Sequence, residues 1–125
     1  MDGAHNPAGA AALAVALEGA ARPVAACVAI LDDKDAGEMV GALAGAVDRF
    51  VFTACAHPRS LPPEELAAVA GRAGLEGFET VPGPHAALER ARELAGDRGT
   101  AVATGSLYLI ADLGRPPGAG GGSTL

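Results

Sequence analysis

Asp2, His5 and Asn6 stand close together near the start of the sequence and are its first candidates for chemistry. An aspartate carboxylate accepts hydrogen bonds from ribose hydroxyls or an ammonium group, and a histidine ring donates one to a carboxylate or phosphate oxygen. The plainer alternative makes His5 a turn residue and Asn6 the N-cap of a helix, because Pro7 suits the first helical position. For Asn6 we favour the cap. No second histidine stands at ligand spacing from His5, so we predict no metal site here.

Three further polar clusters each follow an apolar run, at residues 32–35, 57–60 and 105–106. Lys34 could orient a phosphate or pair with a neighbouring carboxylate, and Arg59 could fork onto a phosphate or carboxylate or form a surface salt bridge. Ser106 could bind a carboxylate or cap the next helix. The pattern offers Ser106 no histidine and aspartate partners, so we predict no catalytic nucleophile.

Composition narrows the classes of function. The net charge of −6 argues against a basic face for a nucleic-acid backbone, so we predict no nucleic-acid partner. No apolar run approaches the roughly 18 residues of a membrane span, so we predict no membrane contact. Both cysteines lie in apolar runs and no signal peptide is evident, which predicts buried thiols of a cytoplasmic protein. Neither a phosphate loop of the G-x-x-x-x-G-K type nor a G-x-G-x-x-G fingerprint is present, so this chain alone should not hold a triphosphate in the usual way.

The elements that must position these clusters alternate along the sequence. Short apolar runs predict strands at 23–31, 49–55, 78–81 and 100–104. Helical spacing and helix-capping residues predict helices at 7–18, 36–46, 62–73, 84–95 and 107–111. The alternation predicts an α/β fold, a doubly wound, mostly parallel, Rossmann-like sheet with helices on both faces.

In such a fold the polar clusters lie where the strands end, at the carboxyl edge of the sheet. Ligands of doubly wound sheets bind at that edge. We expect residues 1–115 to form this domain. The Gly-rich residues 116–125 should form a disordered tail.

Residues 2–7, Asp-Gly-Ala-His-Asn-Pro, resemble the DGAHNP signature of folylpolyglutamate synthase/dihydrofolate synthase, an ATP-dependent ligase of the Mur ligase superfamily. Three further stretches are similar to motifs of that family in the same order: 31–35 (its DKD segment), 58–66 (PRA…PEEL) and 104–109 (TGSLYL). The likeness extends over the chain up to the tail. The peptidoglycan-building Mur ligases usually carry a different version of the first motif, so they are the less similar relatives.

The resemblance implies that the chain is the C-terminal domain of a larger ligase of folate biosynthesis and one-carbon metabolism. Such an enzyme uses ATP to phosphorylate the carboxylate of dihydropteroate or folate, and the amine of L-glutamate then attacks. ATP and Mg²⁺ are held mainly by an N-terminal ATPase domain, which this sequence lacks together with an arginine upstream of the first motif. The C-terminal domain closes over ATP and positions glutamate, so the isolated chain is expected to be inactive.

The resemblance also implies roles for individual residues. Asp2 would contact the nucleotide, and His5 and Ser106 would bind glutamate. Asn6, Lys34 and Arg59 are further candidates for lining the cleft. None of these residues is assigned to bond-making, because their role is positioning.

Two alternatives remain at this point. The chain could be the C-terminal domain of a peptidoglycan Mur ligase, or a stand-alone, non-catalytic binding module of flavodoxin-like shape. The sequence begins abruptly at the first motif, with only Met1 before Asp2. We therefore expect a piece excised from a longer ligase rather than a stand-alone module.

Overall fold

The computed structural model describes residues 6–115, whose centre is a four-stranded parallel sheet. The strands are β1 (Val24–Val28), β2 (Arg49–Phe52), β3 (Phe78–Thr80) and β4 (Thr100–Thr104). The helices are α1 (Pro7–Leu17), α2 (Ala36–Ala44), α3 (Pro63–Arg72), α4 (Pro84–Ala95) and α5 (Leu107–Leu113). The predicted fold class and order of elements are confirmed, while the predicted tail at 116–125 lies outside the described residues.

Side chains of the central strand β1 point alternately to the two faces of the sheet. Val24, Ala26 and Val28 join the core beneath α1, α2 and α3. Ala25 and Cys27 join the core beneath α4 and α5. Every residue of β1 is therefore buried, which explains its continuous apolar run. Small side chains let the helices approach the sheet closely, and the fully buried Phe50 and Phe52 fill the larger space on the first face.

The strand order is β3-β2-β1-β4, so the chain leaves β1 on one side and returns to it on the other. Val28 at the end of β1 pairs with Phe52 of β2 and with Thr104 of β4. The connections that follow β1 and β4 run to opposite sides of the sheet. A crevice between two such carboxyl ends is the usual ligand site of an open α/β sheet.

The amino edge of the sheet is held by Asp48, which directly precedes β2. Its Oδ2 accepts hydrogen bonds from the Val24 N–H at 2.7 Å and from Arg22 Nη1 at 3.1 Å. The Val24 hydrogen bond is the main cause that lowers the pKa of Asp48, and the Arg22 guanidinium adds to it against the opposing effect of burial. Asp48 thus ties together the starts of the two central strands, far from the carboxyl edge.

Among residues 6–115, the helices are all too short or too polar to cross a bilayer.

Candidate functional site

Ser106 lies between β4 and α5, at the carboxyl edge of the sheet. Its Oγ accepts a hydrogen bond from the Tyr108 N–H at 3.1 Å, so the predicted helix cap is confirmed. The residue is 2% exposed, and its Oγ lies 3.7 Å from Cys55 Sγ. One serine therefore joins the end of β4, the start of α5 and the segment that follows β2.

Gly105 brings the ends of β4 and β1 together. Its φ of +106° lies in the left-handed region that L side chains rarely adopt. A Cβ at this position would also collide with the carbonyl oxygen of Ala29, just beyond β1. Only glycine satisfies both constraints, so the backbone after β4 can approach the backbone after β1 closely at this edge.

The segments that follow β1 and β2 are joined by backbone hydrogen bonds. The Asp32 N–H donates to the Arg59 carbonyl at 2.7 Å, and the Leu61 N–H donates to the Ile30 carbonyl at 2.9 Å. The Ser60 Oγ accepts from the Cys55 N–H at 3.0 Å. These contacts bring the polar clusters at 32–35 and 57–60 together at the carboxyl edge of the sheet.

Arg59 forms a salt bridge with Asp32, with 2.7 Å between Nε and Oδ1. Both side chains are about half exposed, at 56% and 48%, so the pair adds little to stability. Lys34 Nζ lies 4.0 Å from Asp33 Oδ2, at the limit of an ion pair. The salt-bridge alternative is confirmed for Arg59, whose two terminal nitrogens make no further hydrogen bond to residues 6–115.

His57 packs its ring on that of Tyr108, with 4.3 Å between the ring centroids. Its Nδ1 accepts a hydrogen bond from the Arg59 N–H at 3.0 Å. In the neutral ring this contact places the proton on Nε2, which becomes a donor. Tyr108 is 37% exposed, and sequence reasoning missed it as part of the site.

Asp112 on α5 is the second residue that sequence reasoning missed. It is 6% exposed, and its Oδ2 accepts a hydrogen bond from the Ala56 N–H at 2.6 Å. Its Oδ1 pairs with Arg115, and its backbone oxygen lies 3.1 Å from His85 Nε2. The sequence did carry one signal for it: Asp112 is the single acid in the otherwise apolar α5. An acid on an apolar helix is rarely buried without partners, so it indicates a specific contact.

The sequence profile of the family described as "Mur ligase, glutamate ligase domain" matches residues 1–107. The chain belongs to this family. Individual relatives are consistent with the match: a probable bifunctional folylpolyglutamate synthase/dihydropteroate synthase of Haloferax volcanii is 37% identical over 113 residues. A dihydrofolate synthase/folylpolyglutamate synthase of Mycobacterium tuberculosis is 38% identical over 100 residues.

Solved structures show the same relationship. Folylpolyglutamate synthase of M. tuberculosis in complex with ADP superposes with a TM-score of 0.81 at 33% identity, covering 94% of this chain and 30% of that one. The synthase of Thermotoga maritima gives a TM-score of 0.74 at 30% identity, covering 90% of this chain and 25% of that one. The predicted resemblance to the C-terminal domain of folylpolyglutamate synthase is therefore confirmed.

This Mur ligase domain spans only part of its relatives. The aligned region covers 90% of the chain but 13% of the H. volcanii protein, and 78% of the chain but 20% of the M. tuberculosis protein.

The predicted site residues fall into two groups. Asp2 and His5 lie outside the described residues, so their roles stay predictions. Asn6 is confirmed as the cap of α1, because its Oδ1 accepts from the Gly9 N–H at 2.7 Å. Ser106, Arg59 and Lys34 lie in the segments that follow β4, β2 and β1.

No group of three His, Cys, Asp or Glu side chains within residues 6–115 is arranged to hold a metal ion. Two of the three acids in the cluster at 32–35 are already engaged, since Asp32 pairs with Arg59 and Asp35 caps α2 by accepting from the Glu38 N–H at 2.9 Å.

Proposed function

We propose that this chain is the C-terminal domain of an ATP-dependent ligase that adds L-glutamate to dihydropteroate or folate. The observation that carries the proposal is the family match over residues 1–107, together with relatives at 37% and 38% identity that are named for this activity. Related structures contain ADP, DHPP with ADP, or AMPPNP with a manganese ion. We extend nucleotide and folate binding to the parent of this chain on that basis.

In the proposed enzyme this domain positions substrates. ATP, with Mg²⁺, supplies the phosphoryl group that activates the acceptor carboxylate, and both are held mainly by the N-terminal ATPase domain of the same parent. Asp2 contacts the nucleotide, and His5 and Ser106 hold glutamate. The position of Ser106 at the crevice between β1 and β4 supports this assignment. Holding the amine of glutamate near the activated carboxylate accelerates the reaction by orientation.

The net charge of the chain supports a role for hydrogen-bond donors at the carboxyl edge of the sheet. The chain carries a net charge of −6, so an acidic amino acid needs local hydrogen-bond donors to bind it. At the carboxyl edge, the terminal nitrogens of Arg59 and the Nε2 proton of His57 supply such donors, and Lys34 adds a positive charge. Asn6 supports the cleft indirectly, by starting the helix that follows the motif at 2–7. The two free cysteines fit the cytoplasm, which belongs to the same proposal.

A domain exchange tests the proposed function. This chain replaces the corresponding domain of the M. tuberculosis enzyme, and incorporation of labelled L-glutamate into dihydropteroate or folate is measured with ATP. We expect activity from the chimera and none from the chain alone. Glutamate incorporation by the chain alone would contradict the proposed division of labour, and activity of the chimera only with a UDP-muramoyl peptide would contradict the acceptor.

His5→Ala in the chimera tests the assignment of the first motif. We expect the KM for glutamate to rise by about tenfold or more while the melting temperature changes little. Arg92→Ala is a suitable control, because its exposed ion pair with Glu89 lies on α4. Unchanged glutamate kinetics in His5→Ala would remove His5 from the glutamate site.

A further inference from the structure

We propose that Asp112 is a positioning residue for the glutamate site. Its carboxylate holds the segment that follows β2 against α5 and so sets the places of Ser106 and His57. The ligand in this inference rests on the proposed function, whereas the contacts are those of the described residues.

The carboxylate of Asp112 is buried, and each of its two oxygens has a partner. A buried charge is costly unless it is paired and hydrogen-bonded. Oδ2 accepts from the Ala56 N–H at 2.6 Å, a short distance that is typical of a charge-assisted hydrogen bond. Oδ1 pairs with Arg115, whose side chain is 22% exposed. Both oxygens therefore have partners, and one partner belongs to the chain segment after β2.

Three consecutive residues of that segment each contact α5 or its cap. Cys55 Sγ lies 3.7 Å from Ser106 Oγ, and the His57 ring lies 4.3 Å from the Tyr108 ring. Between them, the Ala56 N–H donates to Asp112. We call Cys55, Ala56 and His57 the 55–57 turn, since the His57 N–H also donates to the Cys55 carbonyl at 2.8 Å.

The hydrogen bond from Ala56 to Asp112 constrains geometry more than the Cys55–Ser106 and His57–Tyr108 contacts do. A sulfur–hydroxyl contact and a ring contact are weak and tolerate shifts, whereas a hydrogen bond to a buried carboxylate has a preferred geometry. His85 at the start of α4 adds a further anchor, with 3.1 Å between its Nε2 and the backbone oxygen of Asp112. The hydrogen bond to Asp112 therefore fixes the position of the 55–57 turn relative to α5.

The consequence for the proposed reaction follows from position. Ser106 and His57 flank the anchored amide and carry the donors expected to meet glutamate. A misplacement of about 1 Å in such groups lowers the rate at low glutamate about a hundredfold at most. The defect should appear mainly in the KM for glutamate, because Ser106 and His57 are proposed to bind glutamate and take no part in bond-making.

Two variants of nearly equal shape separate the hydrogen-bond acceptor from the volume of the side chain. In the chimera, Asp112→Leu removes the acceptor, and Asp112→Asn keeps one oxygen for the Ala56 N–H. We expect Asp112→Leu to raise the KM for glutamate by about tenfold or more and to change kcat by less than about threefold. Asp112→Asn should restore most of the loss. If Asp112→Leu does not give folded protein, Asp112→Ala replaces it under the same criteria.

Asp48→Leu is the matched control. Asp48 also accepts a hydrogen bond from a strand amide and pairs with an arginine, but it lies at the amino edge of the sheet. The Asp48→Leu substitution should lower the stability of the domain and leave the KM for glutamate unchanged.

A structural measurement on the chain accompanies the kinetics. Hydrogen exchange at the Ala56 amide should be faster in Asp112→Leu, and the ring signals of His57 and Tyr108 should shift. Neither change should occur in Asp48→Leu. A KM that rises no more in Asp112→Leu than in Asp48→Leu, in an active chimera, would overturn the positioning role alone. An inactive wild-type chimera would count against the proposed function and against this inference with it.

Discussion

Cys55 Sγ and Ser106 Oγ lie 3.7 Å apart, although 51 positions separate the two residues in the chain. The hydroxyl of Ser106 accepts the Tyr108 N–H with one lone pair. A hydroxyl has a second lone pair and one proton, so capping α5 leaves the proton for the sulfur or for a ligand. Capping and ligand binding are therefore compatible in one side chain.

Ser106→Ala should lower the free energy of unfolding by about 1 to 2 kcal/mol, because the N-cap of α5 is lost. Urea denaturation of the chain measures this change. In the chimera the same substitution should raise the KM for glutamate, since the hydroxyl proton is lost as well.

Asp35→Ala is the control for that variant. It removes the cap of α2 and should cost about 1 kcal/mol, with no change in the KM for glutamate. An equal change in KM in the two variants would assign the effect of Ser106 to helix capping alone.

Gly105→Ala should destabilise the domain by at least about 3 kcal/mol. The φ of +106° strains any L side chain, and the new Cβ would collide with the Ala29 carbonyl. Chemical denaturation of the two proteins checks the difference.

Gly41→Ala provides the opposite expectation with the same chemical change. Gly41 lies inside α2 and is exposed, and a Cβ added there would meet no neighbouring atom within 4 Å. The substitution should stabilise the chain by about 0.5 to 1 kcal/mol. If both variants were equally tolerated, the close approach of β4 to β1 would not constrain position 105.

The fold was predictable because its local signals agree with one another. The apolar run at 23–31 predicted a buried strand, yet β1 ends at Val28. Ala29 and Ile30 stay buried beyond the strand, because the segment after β2 covers them and Leu61 donates to the Ile30 carbonyl. Burial continues beyond the last residue of the strand, and a run of apolar residues in the sequence does not show where the strand ends.

The site was predictable only in part. Parallel strands bring Ser106 and Arg59 to one edge, which alternation alone implies. The contacts of Ala56 with Asp112 and of His57 with Tyr108 join residues more than 50 positions apart, through a turn whose shape depends on tertiary packing. No local pattern encodes such contacts, so only the isolated acid in α5 could have drawn notice.

Asp48→Asn should reduce stability near neutral pH and lose that effect in acid. The folded-state pKa of Asp48 lies below its ordinary value of 3.8, chiefly through the hydrogen bond from Val24. A lowered folded pKa contributes stability above the unfolded pKa, and this contribution is lost as pH falls through the folded value. The difference between wild type and Asp48→Asn should therefore shrink as the pH falls from neutral through the ordinary pKa of 3.8 and below it.

Urea titrations of both proteins across that range measure the difference. Because the side chain is 44% exposed, the effect should be modest. A difference that stays constant down to the lowest pH would show that the charge of Asp48 is not what stabilises the amino edge.

Cys27 should react with iodoacetamide only when the domain unfolds. It is fully buried in the central strand β1, and burial raises the pKa of its thiol to about 12. At about pH 8 only about one thiol in ten thousand is then the reactive thiolate, and even that one is inaccessible.

Mass spectrometry of the peptide containing Cys27 should show labelling whose rate rises with urea as the unfolded population rises. Gly105→Ala should accelerate the labelling and Gly41→Ala should slow it, because they shift that population in opposite directions. Labelling at one rate in all three proteins would mean that reagent reaches Cys27 through a local opening of β1 instead.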